Sequence, residues 1–536
     1  MHLTNMRLNF YSFVIVISQM FILSGCATLP LPNSTPADYD VIIVGSGLGG
    51  LSAATHLAAG GMKVLVLEQH YKIGGAATSF SRGDFSFDVA LHEMTIGGGE
   101  GYLLDSMKAA GVLDKIKMIQ IPELGRSIFP DMEFVHPHGT GPYQKALIKQ
   151  WPEEKKNIKA FFIFLDTLDK EVIDLKKTLA GDPSIFTKIA MVHRLENLVV
   201  NRNKTINEVL DNYFKDNKLK SVVRQFWTYY GPPPSRQWSL IFLLAQHGYI
   251  KNGGWQIKGS SSSLSQGYGD RIIELGGTIK TSTKVTQILV ENNRVQGVET
   301  DDGTRFSSRY VVSNADPFQT FYKLVGKKKS PKKIISRLKK TTPSNSIAGL
   351  YLGLDVPLSA WGINDYEIFY NASYDEDAMY KAMMEGRFSE GSLAMTLYSN
   401  LNDDFYAPEG KSVITLNTYS DYNYWSDDPK TYELQKDKMK TELIKMAENV
   451  LPGLSRHIEV ALPMTPRTIA GYTLQYKGVP YGINFTTKEQ DRMPAETDIG
   501  GLFLAGSYTF PAHGVGSAQV SGHIAAKKIL KIENHK

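Results

Sequence analysis

The pattern of apolar and polar positions is sharpest between residues 40 and 68. Asp40-Val41-Ile42-Ile43-Val44 is a short β-branched run, the mark of a strand buried on both faces. Gly45-Ser46-Gly47-Leu48-Gly49-Gly50 follows at once. Leu51, Ala54, Leu57 and Ala58 then recur at helical spacing, and Gly60-Gly61 predicts the end of that helix. Val64-Leu65-Val66-Leu67 reads as a second buried strand with Glu68 at its tip. Farther on, Val285-Thr286-Gln287-Ile288 predicts a strand. Val295 to Val298 with the turn signal Asp302-Gly303 predicts a hairpin-like passage, completed by Tyr310 to Pro317. Gly501-Leu502-Phe503-Leu504-Ala505-Gly506 predicts another buried strand, and a last helix is expected from about Ser517 to Leu530. Pro232-Pro233-Pro234 marks a loop.

A different pattern opens the chain. His2 and Arg7 precede an apolar stretch from Phe10 to Leu23, broken by Ser12, Ser18 and Gln19. It is shorter than the roughly 20 apolar residues of a membrane span and has the length of a signal-peptide core. It ends in Leu23-Ser24-Gly25-Cys26, which resembles the cleavage box of bacterial lipoproteins. The resemblance implies that Cys26 becomes the acylated N-terminus of a protein anchored to a membrane of the bacterial cell envelope, on its periplasmic face. Ala27 carries no inner-membrane retention signal of that family, and the Pro- and Ser-rich stretch from Pro30 to Pro36 suits a tether.

Composition narrows the chemistry. A chain of 536 residues is too long for a single core, so two lobes or more are expected. The net charge of +5 is small and no basic stripe carries interleaved aromatics, so no nucleic-acid partner is expected. The one basic run, Lys327, Lys328, Lys329, Lys332 and Lys333, reads as a solvated loop, with contact to an anionic membrane as the alternative. Cys26 is the only cysteine, which excludes an intrachain disulfide, a cysteine zinc site and a Cys-X-X-Cys redox centre. No His/Asp/Glu cluster has metal-ligand spacing, and no P-loop, His-Glu-X-X-His or Gly-X-Ser-X-Gly motif occurs.

The glycine turn has a physical task at each position. Gly45 permits the tight turn, Gly47 lets the backbone approach a pyrophosphate, and Gly50 lets the helix pack on the strands. The phosphates sit on free amides at the positive end of the helix, in the turn that Ser46, Leu48 and Gly49 complete. Glu68, eighteen positions after Gly50, stands where a carboxylate bonds a ribose 2′-hydroxyl, with Gln69 beside it. It repels a 2′-phosphate, so NADP is disfavoured there. A dinucleotide is expected, and the motif alone leaves FAD and NAD both open.

The next segment decides by resemblance. Gly74-Gly75-Ala76-Ala77-Thr78, then Gly83, Phe87-Asp88 and Leu91-His92, resembles the double-glycine extension of FAD-dependent amine oxidases and phytoene desaturases. Within that group the chain is most similar to phytoene desaturases, carotenoid isomerases and retinol saturases, although Ala90 stands where they usually have glycine. The resemblance implies FAD as cofactor. It implies an α/β fold: a discontinuous Rossmann-like FAD-binding domain of the glutathione reductase/amine oxidase type with an α+β substrate domain. Gly74, Gly75, Ala76 and Thr78 would lie along the cofactor, backbone near Val285 at the adenine, and Gly506, Gly514 and Val515 near the flavin.

The implied partition is signal peptide and lipidation site 1–26, tether 27–37, FAD-binding parts 38–110, 266–317 and 491–536, and substrate parts 111–265 and 318–490. Aromatic runs such as Phe226-Trp227 and Tyr229-Tyr230 fall in the substrate parts. The Gly253-Gly254-Trp255 and Gly259-to-Ser265 passages are expected along the substrate channel. No second glycine fingerprint follows a strand, so a dedicated NAD(P)H domain is absent. Either a nicotinamide binds transiently at the flavin, or oxygen, a quinone or another acceptor takes the electrons.

The implied reaction adds or removes hydrogen at carbon–carbon bonds of an apolar isoprenoid or polyene, as desaturation, saturation or redox-assisted isomerisation. His92, His513 and Tyr508 are the candidate catalytic residues, and Asp88 is expected to brace the glycine-rich segment. A flavin amine oxidase and a non-catalytic lipid-binding lipoprotein are the alternatives. The oligomeric state is not legible.

Overall fold

The computed structural model describes residues 37–95, 102–180, 194–401 and 404–535. The signal segment, Cys26 and nearly all of the tether lie outside the described residues.

The expected strand pair forms as Tyr39–Val44 and Val64–Leu67, parallel, with the helix Leu48–Ala59 between them. Val41 and Ile43 pack under this helix, while Ile42 and Val44 enter a second core on the opposite face. A strand covered on both sides needs apolar residues at every position, which is why the run does not alternate. Tyr39–Val44 also pairs in parallel with Arg305–Ser313, which pairs with Leu502–Leu504; Val64–Leu67 pairs with Thr278–Lys280. Val285–Glu291 and Arg294–Thr300 continue the sheet as an antiparallel meander from Arg305–Ser313. The sheet therefore draws its strands from three separated stretches of chain.

Leu48–Ala59, Ser261–Glu274 and the C-terminal Val515–Asn534 cover one face, and Tyr102–Ala110 packs into the same core through Met107 and Ala110. The C-terminal helix is longer at both ends than its apolar pattern suggested. Ser261–Glu274 crosses the boundary expected at 265/266 because its buried side, Leu264, Tyr268 and Ile272, faces the nucleotide-side core.

Among the described residues the second sheet has seven strands, in the order Ile458–Met464, Ser346–Leu354, Ser412–Ser420, Ser392–Thr396, Glu367–Asn371, Gly125–Phe129 and Met132–His136. Its pairs are antiparallel except Gly125–Phe129 with Glu367–Asn371. A helical layer rich in Phe, Trp and Tyr, including Phe161, Phe226, Trp227 and Phe242, packs on one side, and the helix Pro429–Ala447 on the other. Pro232–Pro234 lie in a turn, as their missing amides require. Lys327, Lys328 and Lys329 are exposed in a turn, and Lys332 and Lys333 open the helix Lys332–Lys340.

Candidate active site

The glycine turn is built by interlocked backbone. Gly45 has φ +90°, a left-handed conformation that a side chain would strain. A Cβ on Gly47 would stand 2.5 Å from the Asn314 side-chain amide, and one on Gly50 would collide with the Gly45 carbonyl. Asn314, at the end of Arg305–Ser313, accepts a hydrogen bond from the Gly50 amide through Oδ1 at 3.0 Å. The amides of Leu48 and Gly49 open the helix without helical acceptors, as first-turn amides do.

Glu68 is tied to this turn. Its Oε2 accepts from the Ser46 amide at 2.8 Å and the Ser46 hydroxyl at 2.7 Å, and its Oε1 from the His70 amide at 2.8 Å. Ser46 thus aims the carboxylate, while the carboxylate keeps acceptor capacity for a hydroxyl. The second glycine pair closes over the first. Gly47 and Gly74 form a β-bridge, and a Cβ on Gly75 would stand 3.2 Å from the Gly47 Cα. Asp88 accepts from the Ser261 amide and hydroxyl, at 2.6 and 2.7 Å, and from the Leu91 amide at 3.1 Å. It braces the glycine-rich segment, and burial pushes its carboxyl up to about 6.

A cavity of about 720 Å³ runs along these elements. Its wall includes Gly45, Gly47, Glu68, Gln69, Gly75, Ala76, Thr78 and Val285 of the expected cofactor set, and His92 of the expected catalytic set. Ser46, Leu48, Gly49, Gly50 and Gly74 stand behind the wall as its backbone support. Gly506 (φ +107°) abuts Gly49, where an added Cβ would lie 2.7 Å from the Gly506 amide nitrogen. Gly514 caps the helix that begins at Val515. The same cavity continues past Ala90 and His92 to Tyr229, Phe369, Leu393, Tyr419 and Tyr481 in the second lobe.

The three candidate catalytic residues part company. His92 stacks on Tyr229 with ring centroids 5.0 Å apart, and burial pulls it down to about 4, so it is neutral at pH 7. His513 lies off the wall among Tyr230, Tyr481 and Phe485, and burial pulls it to about 3. Tyr508 is buried in the core on the far face of the parallel sheet, edge-on to Phe318, and burial raises its phenol well above its ordinary value. The passage from Gly253 to Ser265 also lies off the wall. Ser265 donates to the Ala77 carbonyl at 2.6 Å, and Gly254 packs against Glu93.

The structure adds residues that the motifs did not single out. Asn314 was legible only as the end of a buried strand, yet it binds the glycine turn. Gln225, Tyr351, Asn417 and Tyr419 reach the cavity from the second lobe, where the sequence carries no fingerprint.

The parts fit a flavin dinucleotide. The glycine cradle leaves no room for a Cβ, its helix-start amides suit a diphosphate, and a carboxylate stands beside it for a ribose. Fold and site together define an FAD-dependent oxidoreductase. The chain belongs to the flavin containing amine oxidoreductase family, whose model matches residues 48–530.

Among its relatives, prolycopene isomerase of Arabidopsis thaliana is 27% identical over 92% of this chain and 82% of that protein. All-trans-retinol 13,14-reductase of Danio rerio is 24% identical over 89% of this chain and 83% of that protein. The 4,4'-diaponeurosporene oxygenase of Staphylococcus haemolyticus is 25% identical over 92% and 97%. Two solved structures share the fold. An oxidoreductase from Methanosarcina mazei superposes with TM-score 0.60 at 16% identity, covering 92% of this chain and 100% of that one. Putrescine oxidase bound to putrescine gives 0.60 at 13% identity, covering 92% and 99%.

Proposed function

We propose that the protein adds or removes hydrogen at a carbon–carbon bond of an apolar isoprenoid or polyene. One observation carries this reading: the cofactor cavity opens without a break into a chamber walled by Ile347, Phe369, Leu393, Ala394, Leu462 and Met464. An apolar wall gains free energy by covering a hydrocarbon and strips water from the reacting bond. The polyene- and retinol-directed relatives support the same substrate class. The bound flavin supplies the hydride chemistry. The chain supplies orientation, through Tyr351, Tyr419 and Tyr481 around the chamber, and a carboxylate-gripped cofactor turn.

The test offers the flavin-loaded protein prolycopene, all-trans-retinol and 4,4'-diaponeurosporene, with putrescine as the amine control. Conversion of a polyene or retinoid with putrescine untouched is expected. Putrescine oxidation with every polyene unchanged would overturn the reading in favour of an amine oxidase.

The anchor is part of the same proposal. Leu23-Ser24-Gly25-Cys26 supports acylation at Cys26, which would hold the enzyme where apolar substrates dissolve. Cys26→Ala is expected to move the full chain from the membrane to the soluble fraction and to abolish labelling by a radioactive fatty acid. Unchanged partition and label would refute the anchor.

A further inference from the structure

The second sheet floors the chamber, and its strand register fixes which side chains face the cavity. Residues paired across an antiparallel ladder point to the same side. Phe369 pairs with Ala394, Ala394 with Asn417, Asn417 with Gly349, and Gly349 with Met464. Five strands thus lay one row across the floor. Phe369, Ala394, Asn417 and Met464 of that row line the cavity. Asn417 carries the one polar side chain in the row.

Asn417 sits inside the strand Ser412–Ser420, where every other residue is buried and it alone is half-buried. Strands run on both sides of it, so its open surface faces the cavity. Its neighbours across the ladder are small. Ala394 ends at its Cβ, and Gly349 has none; a Cβ there would stand 2.2 Å from the Leu416 carbonyl oxygen and 2.8 Å from Asn417 Oδ1. The bulk of Phe369 and Met464 lies one strand farther out on either side, which leaves the amide open from above.

Polar neighbours on the same wall are already engaged. The Tyr419 hydroxyl donates to the Thr228 carbonyl and accepts from the Gly231 amide at 3.1 Å. Tyr351 donates to the Val89 carbonyl, and Thr418 to the Ser392 carbonyl, each at 2.8 Å. Gln225 accepts from the Asn371 side chain at 2.8 Å. The Asn417 side chain makes no hydrogen bond among the described residues, and of its neighbours on the wall the Tyr481 hydroxyl shares that freedom.

A side-chain amide offers a carbonyl acceptor and an NH₂ donor. A hydrocarbon laid over it would displace its water and return no hydrogen bond, which costs free energy. A hydroxyl pairs with whichever end of the amide is turned to it, donating to Oδ1 or accepting from Nδ2.

We propose that Asn417 binds a hydroxyl group of the substrate, so that the chamber selects a hydroxylated isoprenoid or polyene over the bare hydrocarbon. The proposal rests on the carbon–carbon reading above and narrows it. Apolar walls hold a polyene equally well at many positions along its length. One hydrogen bond to a fixed amide selects a single position, and with it the carbon–carbon bond that reacts.

The test measures dissociation constants with the flavin-loaded protein, by quenching of its tryptophan fluorescence. The two ligands are all-trans-retinol and the hydrocarbon in which CH₃ replaces its CH₂OH. The quantity read is the ratio of the two constants, compared between variants, which cancels the unequal hydrophobicity of the ligands. Asn417→Leu orphans the hydroxyl and welcomes the methyl group, and is expected to swing the ratio about 100-fold toward the hydrocarbon. Asn417→Ala removes the amide without adding bulk and is expected to swing it about 10-fold the same way. A merely structural role for Asn417 would weaken both ligands alike and leave the ratio where it was.

An unchanged ratio in these variants overturns the proposal. So does a ratio that shifts in Tyr481→Phe and in neither Asn417 variant, because the hydroxyl is then read by Tyr481. Should Asn417→Leu not fold, Asn417→Ala decides. Turnover separates the proposal from the reading beneath it. Conversion of alcohol and hydrocarbon with the same relative kcat/KM in wild type and Asn417→Leu would sink the hydroxyl site and leave the carbon–carbon reading standing. Oxidation of putrescine with neither ligand converted would remove that reading itself.

Discussion

Glu68 shows how a single residue serves the site twice. It accepts three hydrogen bonds from Ser46 and His70, which rigidify the turn, and it presents the same carboxylate to the cavity. Glu68→Ala removes the ribose acceptor and orphans the buried Ser46 donors, a loss of about 1–3 kcal/mol. Bound flavin, read as the visible-to-ultraviolet absorbance ratio, is expected to fall at least severalfold. Wild-type flavin content in this variant would show that the carboxylate does not read the sugar. Glu68 was legible because spacing from the glycine turn defines it. Asn314 was not, because its partner, the Gly50 amide, is 264 positions away in the chain. Asn417 was passed over for a similar reason. Nothing local tells an exposed asparagine from one set in a chamber floor between Ala394 and Gly349.

At the scale of elements, the contact between the helices Leu48–Ala59 and Val515–Asn534 couples the two ends of the cofactor domain. A Cβ on Gly522 would run into the Gly49 carbonyl, so the backbones touch where the first helix offers its amides. Gly522→Ala is expected to cost about 1–3 kcal/mol by overpacking, and to loosen flavin because the strain falls on Gly49. Gly248→Ala is the control. That helical glycine has open space where a Cβ would go, and the change is expected to be neutral or to stabilise by about 0.5–1 kcal/mol. Thermal melts with and without added FAD distinguish the two, and equal melting temperatures for both variants would refute the argument. The strands and helix around the glycine turn were legible because their apolar periods differ so plainly. The C-terminal helix ran past its expected ends, since helix ends are set by capping and packing as much as by apolar period.

For the whole molecule, buried titratable groups predict how stability follows pH. His56, His136 and His513 are pulled by burial to about 3 and His92 to about 4, against an ordinary 6.5. Unfolding lets them take protons that the folded state refuses, so stability is lost as pH falls below 6.5. Asp88 and Asp316 are raised by burial to about 6, and Glu93 to about 8. The folded state keeps their protons after the unfolded chain has released them, so stability is lost as pH rises from about 4 toward 8. The two trends oppose each other between about pH 4.5 and 6.5, and only the carboxyl trend continues above. The melting temperature is expected to level off in that window and decline on either side. Glu93→Gln should flatten the alkaline decline by up to about 1.4 kcal/mol per pH unit. A melting temperature that climbs from pH 6.5 to 8 would contradict this.

The linear chain by itself determined the dinucleotide grip. A turn, its helix and its carboxylate lie within thirty residues, and their chemistry depends on local backbone geometry and spacing. That the segments near residues 310 and 502 join the same domain was implied only by the family resemblance, and their strands do pair in parallel beside Tyr39–Val44. Only the tertiary structure decided what surrounds the reacting bond. The chamber wall is drawn from strands and helices between residues 225 and 481 that no period or spacing relates. Burial, which sets whether Glu93 holds a proton and whether His92 is charged, belongs to all the neighbours at once. Desolvation is a property of the packed volume, and a sequence read in order contains no measure of it.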